Sequence, residues 1–159
     1  MPSILFVCTA NRFRSPIAAA YFARRLSVHG QDRDFRVSSA GTWTASGQPV
    51  TADALSIARD HGLDLDAHRS RPISTKILTG IDLALVMEAN HQEAIRQDFV
   101  GVSDHVVLFS QAAGFAPFDV PDPYTSDESA VVVAKEIFDM IDQGYDRIIA
   151  LARKLASPG

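Results

Sequence analysis

Apolar runs alternate with amphipathic segments along the chain, which predicts strands separated by helices. The run SILFVC at 3–8 is continuous and partly β-branched, as is typical of a strand buried on both faces. Further strands are predicted at 35–41, 82–88 and 105–110, and helices at 15–30, 51–62, 90–99 and 127–156. Strands separated by helices imply parallel β-α-β units with helices on both faces of the sheet.

Local signals indicate the ends of the predicted helices. Ser15 can cap the first helix, Pro16 suits its first turn, and Gly30 can end it. Thr51 can cap the second helix and Gly62 can stop it. The last helix carries apolar residues at steps of three and four, which indicates one buried stripe.

Composition narrows the class of protein. With 159 residues, of which 47% are hydrophobic and 21% charged, the chain fits one globular domain spanning 1–159. The net charge of −4 argues against general nucleic-acid affinity. No segment has the ~20 apolar residues that span a bilayer, and the start of the chain lacks the basic region of a signal peptide. A single cysteine excludes an intramolecular disulfide and a cysteine-based zinc site, and it fits the reducing cytoplasm.

The five histidines also limit the chemistry. They are scattered along the chain, with no pair four residues apart on one helix, so no metal site is predicted. Four of them, including His91, are interpreted as ordinary surface or core residues. The role of the fifth, His68, is inferred from the family pattern described below.

The single cysteine begins the segment CTANRFRSP at 8–16, at the carboxyl end of the first predicted strand. Ligands bind at this edge of open α/β sheets. A helix beginning at Ser15 directs its free N–H groups and positive dipole end at the segment, and loop amides there form a nest for an oxyanion. The guanidinium of Arg14 can bind two phosphate oxygens at once. These surroundings stabilise a thiolate at Cys8, with Ser15 donating to the sulfur, and therefore predict covalent phosphoryl transfer.

A candidate acid lies in the segment VPDPYTSD at 120–127. Thiolate attack on a phosphate ester requires a proton for the leaving oxygen. Asp122 stands between two prolines that keep it out of a helix, and it is the best candidate to act first as acid and then as base. Tyr124, two residues later, could form an aromatic wall for a flat leaving group.

With these residues identified, the chain resembles the low-molecular-weight protein tyrosine phosphatases essentially end to end. CTANRFRSP fits the pattern C-x5-R-[ST], and SAGT at 39–42, HGLDLDAHRSRPIS at 61–74 and DPY at 122–124 fit the rest of the family pattern. The resemblance implies a three-layer αβα fold with a four-stranded parallel sheet of flavodoxin-like type. It also implies hydrolysis of phosphomonoesters through a phosphocysteine, without a metal or cofactor.

The resemblance assigns roles residue by residue. Cys8 is the nucleophile, Arg14 binds the phosphate and the transition state, and Asp122 is the acid and then the base. Asn11, Ser15, Ser39 and His68 match the hydrogen-bond network that supports the loop, so His68 is interpreted as structural. Residues expected to contact the substrate are Thr9, Ala10, Asn11, Arg12, Phe13, Ser15, Trp43 and Tyr124. The expected partner is a phosphotyrosine protein or another aryl phosphate, with phosphate or another oxyanion bound in the Cys8 loop.

Four positions depart from the family pattern C-x-G-N-x-C-R-S or have no clear match in it. Ala10 replaces the glycine and adds about 1 kcal/mol of strain if that position needs a positive φ. Phe13 replaces the second cysteine, so Cys8 is expected to oxidise beyond the sulfenic acid more easily. Arg12 either raises the positive potential at the pocket mouth, favouring acidic phosphopeptides, or is simply solvated. Trp43 either walls the substrate or packs its own loop.

Several functions stay open at this point. Protein-tyrosine phosphatase is the leading hypothesis. A phosphoarginine phosphatase would share the same loop, although the cation of Arg12 disfavours a guanidinium leaving group. An arsenate reductase coupled to thioredoxin needs more cysteines, whereas one using an external thiol is compatible but leaves Asp122 without a role. The non-enzymatic alternative is a relic that binds phosphate or phosphoproteins.

Overall fold

The structure, a computed structural model, describes residues 1–157. Its strands are β1 (Ser3–Cys8), β2 (Arg36–Gly41), β3 (Leu83–Val86) and β4 (Val106–Leu108). They form one sheet in the order β2-β1-β3-β4, and every neighbouring pair is parallel. The helices are α1 (Arg14–Val28), α2 (Ala52–Asp60), α3 (Thr75–Thr79), α4 (Ala89–Asp98), α5 (Phe109–Ala112) and α6 (Ala130–Ala156). The four-stranded parallel sheet predicted from the sequence is therefore confirmed.

The side chains of β1 divide between two apolar cores, one on each face of the sheet. Ile4, Phe6 and Cys8 join the larger core, to which α1 and α6 contribute most of their buried side chains. Leu5 and Val7 join the smaller core, which includes side chains of α3 and α4. Because both faces are covered, every residue of β1 is buried, and this explains its uninterrupted apolar run.

The helix ends follow the predicted signals only in part. Thr51 caps α2 by accepting from the N–H of Ala54 at 3.2 Å, as expected. Ser15, by contrast, does not cap α1: the helix begins one residue earlier, its N-cap is Phe13, and no side chain caps it. The predicted cap was wrong because the Ser15 hydroxyl is engaged by the sulfur of Cys8.

All strands except β1 are shorter than predicted, β3 and β4 most of all, and the last helix begins later. β3 ends at Val86, and Glu88 already serves as the N-cap of α4. The apolar run at 105–110 continues past β4 into α5, because a short buried helix and a buried strand have the same apolar composition. The last helix begins at Ala130, where Ser129 caps it through the N–H of Val132. Helices α3 and α5 and a 3₁₀ turn at Ser103–His105 were not predicted.

The carboxyl edge of the sheet brings together segments that are distant in sequence. Cys8 at the end of β1 lies in register with Gly41 at the end of β2. A Cβ at Gly41 would lie 2.5 Å from the carbonyl oxygen of Thr9, so only glycine allows this close approach. The N–H of Val120 donates to the carbonyl of Met87 after β3 at 2.9 Å, which brings the segment containing Asp122 to the same edge.

Hydropathy of the helices bears on membrane association. Among residues 1–157, no helix combines the length and the apolar character needed to cross a bilayer, not even the 27-residue α6.

Candidate active site

Cys8 lies in a cavity of about 300 Å³ at the carboxyl edge of the sheet. The cavity is lined by Cys8, Ala10, Arg12, Phe13, Arg14, Thr51, Asp122 and Tyr124. Cys8 and Arg14 are 3% and 2% exposed and form its floor. The sulfur of Cys8 lies 3.0 Å from the Ser15 hydroxyl and accepts from the N–H of Asn11 at 3.3 Å. The three predicted catalytic residues, Cys8, Arg14 and Asp122, are therefore brought together.

Asn11 is the centre of the network that shapes residues 8–14, hereafter the Cys8 loop. Its amide Nδ2 donates to the hydroxyls of Ser15 and Ser39 at 2.8 and 2.9 Å. Its Oδ1 accepts from the N–H of Arg71, and its carbonyl lies 2.8 Å from Nε2 of His68. All four predicted loop-supporting residues thus meet at Asn11.

The left-handed backbone of the Cys8 loop falls on Asn11, which has a φ of 57°. It is the one non-glycine residue with a positive φ in the described part of the chain, and Asn tolerates this region better than most residues. Ala10 does not adopt a positive φ, so the strain considered for it from the sequence does not arise.

His68 contacts the Cys8 loop rather than the cavity. Burial lowers the pKa of its imidazole, and the cations of Arg69 and Arg71 lower it further, against the opposing effect of the Asn11 carbonyl. A neutral imidazole has one N–H, and a carbonyl can only accept, so Nε2 of His68 carries the proton and donates to Asn11. His68 therefore supports the loop and does not enter the cavity.

Arg14 is held by two acceptors beneath the cavity. Its Nη1 donates to Oε2 of Glu88 at 2.7 Å and to the carbonyl of Val120 at 2.8 Å. Its Nη2 lies 3.9 Å from Oδ2 of Asp122. The guanidinium is thus anchored on one side and directed toward the acid on the other. Sequence reasoning missed Glu88, although its position at the end of the predicted strand 82–88, at the edge where Cys8 lies, was a usable signal.

Asp122 is fixed by a tight turn. Its Oδ1 accepts from the N–H of Tyr124 at 2.9 Å, and its carbonyl accepts from the N–H of Thr125 and the hydroxyl of Ser126. This side-chain turn engages one carboxylate oxygen and leaves Oδ2 facing Arg14. A carboxylic acid in this place can deliver a proton into the cavity.

Two aromatic rings form the wall of the cavity. Phe13 and Tyr124 meet edge to face, with centroids 5.8 Å apart and planes at 86°. The Tyr124 hydroxyl donates to Oγ1 of Thr51 at 2.6 Å and contacts Oδ2 of Asp53 at 3.2 Å. Partial burial raises the pKa of the Tyr124 phenol. Sequence reasoning assigned Thr51 only as a helix cap and did not consider Asp53.

The other residues predicted to contact the substrate have different positions. Ala10, Arg12, Phe13 and Tyr124 line the cavity, whereas Thr9, Asn11, Ser15 and Trp43 do not. Arg12 donates from Nε to the carbonyl of Pro49 at 2.8 Å, so it is held at the mouth of the cavity rather than freely solvated. Trp43 is 84% exposed outside the cavity, and the substrate wall considered for it is not observed.

Among the described residues, 1–157, no group of three or more His, Cys, Asp or Glu side chains is arranged to hold a metal ion.

A parallel sheet whose first strand ends in a Cys-x5-Arg loop, with a carboxyl group facing the arginine, defines the class of α/β phosphatases with a cysteine at the phosphate site. The model of the family Low molecular weight phosphotyrosine protein phosphatase matches residues 3–157. The chain belongs to this family of enzymes.

Individual relatives agree with the family match. The chain is 35% identical to low molecular weight protein-tyrosine phosphatase A of Mycobacterium tuberculosis, over 87% of this chain and 84% of the relative. The crystal structure of the low molecular weight protein tyrosine phosphatase from T. tengcongensis superposes with a TM-score of 0.84 at 28% identity, covering 92% and 99% of the two chains. A structure of the arginine phosphatase YwlE, in a mutant with a phosphorylated active site serine, gives a TM-score of 0.82 at 26% identity, covering 96% and 95%.

Proposed function

We propose that this chain hydrolyses protein phosphotyrosine through a phosphocysteine intermediate on Cys8, with residues 1–159 acting as one domain. The observation that carries the proposal is the meeting of a buried thiol, a buried guanidinium and a carboxylate in one cavity with an aromatic wall. In this proposal the phosphate group binds against Cys8 and Arg14, and its ester oxygen faces Asp122, because all three residues line the same cavity.

In the first half of the reaction, the phosphate oxygens accept from the loop N–H groups and from Arg14. The thiolate of Cys8 attacks phosphorus, a sulfur–phosphorus bond forms, and the bond from phosphorus to the ester oxygen breaks. The electron pair of that bond goes to the leaving oxygen, which takes a proton from Asp122. The aryl alcohol then leaves along the wall formed by Phe13 and Tyr124.

In the second half, the carboxylate of Asp122 takes a proton from a water molecule that attacks the phosphorus. The sulfur–phosphorus bond breaks and its electron pair returns to Cys8. The Ser15 hydroxyl, 3.0 Å from the sulfur, stabilises the departing thiolate. Inorganic phosphate is the second product. The phosphorylated serine in the YwlE mutant supports a covalent step of this kind in a related fold.

Phosphotyrosine is favoured over phosphoarginine by the lining of the cavity. Phe13 and Tyr124 offer apolar faces to a flat aryl group. The guanidinium of Arg12, held at the mouth by Pro49, would repel the guanidinium of a phosphoarginine substrate. The likeness to the arginine phosphatase YwlE keeps phosphoarginine as the second candidate, to be compared directly in the assay.

The remaining alternatives explain less of the site. Reduction of arsenate with an external thiol would leave the fixed position of Asp122 without a purpose. The hypothesis of a phosphate-binding relic rests on Ala10 and Arg12; Ala10 has no positive φ, and Arg12 is held by the carbonyl of Pro49. A reducing compartment, the cytoplasm, suits a mechanism that needs a free thiol at Cys8, and nothing in the mechanism calls for a nucleic acid or a membrane.

Hydrolysis of p-nitrophenyl phosphate in the presence of a chelator tests the proposal. Wild type, Cys8→Ser and Asp122→Ala are compared, followed by phosphotyrosine and phosphoarginine peptides. We expect turnover by the wild type, none by Cys8→Ser, and slower turnover by Asp122→Ala, with the full loss of roughly 10²–10⁴ expected only for esters with poorer leaving groups. A wild type no faster than Cys8→Ser would overturn the assignment as an enzyme.

A further inference from the structure

His91, in the first turn of α4, is a buried histidine that the mechanism above does not use. It is 2% exposed. Its Nδ1 lies 3.1 Å from the backbone N–H of Glu88, and because an amide N–H can only donate, Nδ1 is the acceptor. The ring proton is therefore on Nε2, which lies 2.8 Å from Oγ1 of Thr9 and donates to it. Both ring nitrogens are thus engaged, and the tautomer is fixed.

One partner of His91 lies in the Cys8 loop, and the other contacts the end of that loop. Thr9 directly follows the candidate nucleophile. Glu88 is the carboxylate that anchors Nη1 of Arg14 at 2.7 Å. The network at Asn11 holds the middle of the loop from the side of β2. From the first turn of α4, His91 contacts the start of the loop directly and its end through Glu88.

We propose that His91 is a positioning residue that holds Thr9 and Glu88 in place, so that Cys8 and Arg14 are preorganised for the phosphate group. The proposal rests on the proposed function for its effect on turnover, but not for its effect on phosphate binding. Burial lowers the pKa of His91 to about 3, and the Arg14 cation acts in the same direction. The imidazole is therefore neutral at neutral pH, and the Nε2 proton stays available to Thr9.

The ionisable groups that face His91 do not alter this protonation state. Arg14 disfavours a second positive charge. Oε2 of Glu88 lies 3.6 Å from Nε2, but this carboxylate already accepts from Arg14 at 2.7 Å. The neutral imidazole can thus act as a fixed donor rather than as the partner of an ion pair.

Conservative variants separate the two hydrogen bonds of His91. An asparagine amide reaches the position of Nδ1, so His91→Asn keeps the contact with Glu88 and loses the contact with Thr9. A glutamine amide reaches the position of Nε2, so His91→Gln keeps a donor for Thr9. Thr9→Val removes the hydroxyl and keeps the shape of the side chain. The matched control is His105→Asn, because His105 is half-buried, bonds the backbone of Asp82, and lies at the opposite edge of the sheet.

Affinity for inorganic phosphate, measured by titration calorimetry, is the primary readout, with kcat and KM for p-nitrophenyl phosphate and the Tm alongside. His91→Asn and Thr9→Val should each weaken phosphate binding about tenfold, and His91→Gln much less. The double variant Thr9→Val with His91→Asn should be no weaker than either single variant, because both remove the same hydrogen bond. His105→Asn should bind phosphate like the wild type.

Phosphate affinity decides the outcome independently of turnover. Near-wild-type affinity in His91→Asn, or losses that add in the double variant, would overturn the role of His91. The role of His91 would also be overturned if His91→Gln and His91→Asn lost phosphate affinity equally and only in proportion to their loss of Tm. If the wild type bound phosphate but did not hydrolyse p-nitrophenyl phosphate, the proposed function would be contradicted. The phosphate affinities of the variants would still test the role of His91.

Discussion

Oδ2 of Asp122 lies 3.9 Å from Nη2 of Arg14, so the candidate acid faces the guanidinium proposed to bind phosphate across the cavity. A phosphate dianion bound to Arg14 would compete with the carboxylate for that cation. In the proposed mechanism Asp122 donates its proton to the leaving oxygen beside this cation.

Replacing Asp122 by asparagine tests this proton transfer through the leaving group. Asp122→Asn should lower kcat/KM by roughly 10²–10⁴ for phenyl phosphate. The loss should be much smaller for p-nitrophenyl phosphate, because p-nitrophenolate leaves with less help from a proton. Steady-state kinetics with both esters measures the difference.

The matched control for this variant is Asp127→Asn, an exposed aspartate in the same segment. It should leave kcat unchanged with both esters. An equal loss of kcat/KM on the two esters in Asp122→Asn would exclude proton donation to the leaving oxygen. The test uses kcat/KM because kcat also includes hydrolysis of the phosphocysteine, in which Asp122 acts as a base whatever the ester.

The second prediction concerns the charge that Glu88 supplies to buried Arg14. Glu88→Gln should lower the free energy of unfolding by about 1–3 kcal/mol without ligand, because the guanidinium loses its anionic partner. Phosphate supplies that charge, so its addition should raise the Tm more in the variant than in the wild type. Thermal denaturation with and without phosphate measures both effects.

Glu93→Gln, an exposed change on the same helix, is the control for Glu88→Gln and should have neither effect. If phosphate raised the Tm of Glu88→Gln and of the wild type equally, Glu88 and phosphate would not be neutralising the same cation, Arg14, and the prediction would be wrong.

The sheet and the central residues of the site could be predicted from the sequence because each depends on local patterns. The run at 3–8 is continuous since β1 is covered on both faces, and a cysteine at its end lies at the ligand edge by topology. Arg14 follows from its fixed spacing to Cys8. Asn11, Ser39 and His68 came from the family resemblance, and the structure brings them together as that pattern implies.

The parts that could not be predicted depend on contacts between distant segments. Glu88 and His91 reach the Cys8 loop only because β3 pairs with β1, and no local signal gives the direction of their side chains. Ser15 has the composition of a helix cap, but a neighbouring sulfur changes its role. Trp43 shows the reverse, since an aromatic residue in a loop near the site is directed to solvent.

The aromatic wall gives a third prediction. Tyr124→Ala should raise KM for p-nitrophenyl phosphate by about three- to tenfold, because the aryl group loses its contact with the ring. The variant should have little effect on an aliphatic ester such as phosphoserine, which has no ring to pack. Val132→Ala, an exposed apolar truncation on α6, is the control. A rise in KM of the same size for both esters would show that Tyr124 acts on the loop and not on the aryl group.

The charge at the cavity mouth gives a fourth prediction. Arg12→Ala should reduce kcat/KM for phosphotyrosine peptides with acidic flanks by up to about fivefold relative to neutral peptides, because a surface charge pair contributes little. The difference should shrink at high salt. Arg69→Ala, an exposed arginine that does not line this cavity, should leave the ratio unchanged. A ratio unaffected by Arg12→Ala at low salt would exclude Arg12 from peptide selection.

The buried His91 gives the last prediction, for stability against pH. Its pKa is lowered to about 3 in the folded chain, against about 6.5 when unfolded, so between these values the unfolded chain binds a proton that the folded chain does not. Stability from this residue is therefore complete above about pH 6.5 and falls as the pH drops, by roughly 2 kcal/mol at pH 5. Burial lowers the pKa of His68 as well, in the same direction.

Urea denaturation at pH 7, 6 and 5 measures this dependence, and His91→Gln isolates it, because glutamine does not titrate. The variant should lose roughly 2 kcal/mol less than the wild type between pH 7 and 5, whatever its stability at pH 7. His29→Gln, at an exposed position, should retain the wild-type slope. If His91→Gln also retains that slope, the imidazole takes up a proton in the folded chain near its ordinary pKa, and the neutral donor to Thr9 is lost under the same conditions.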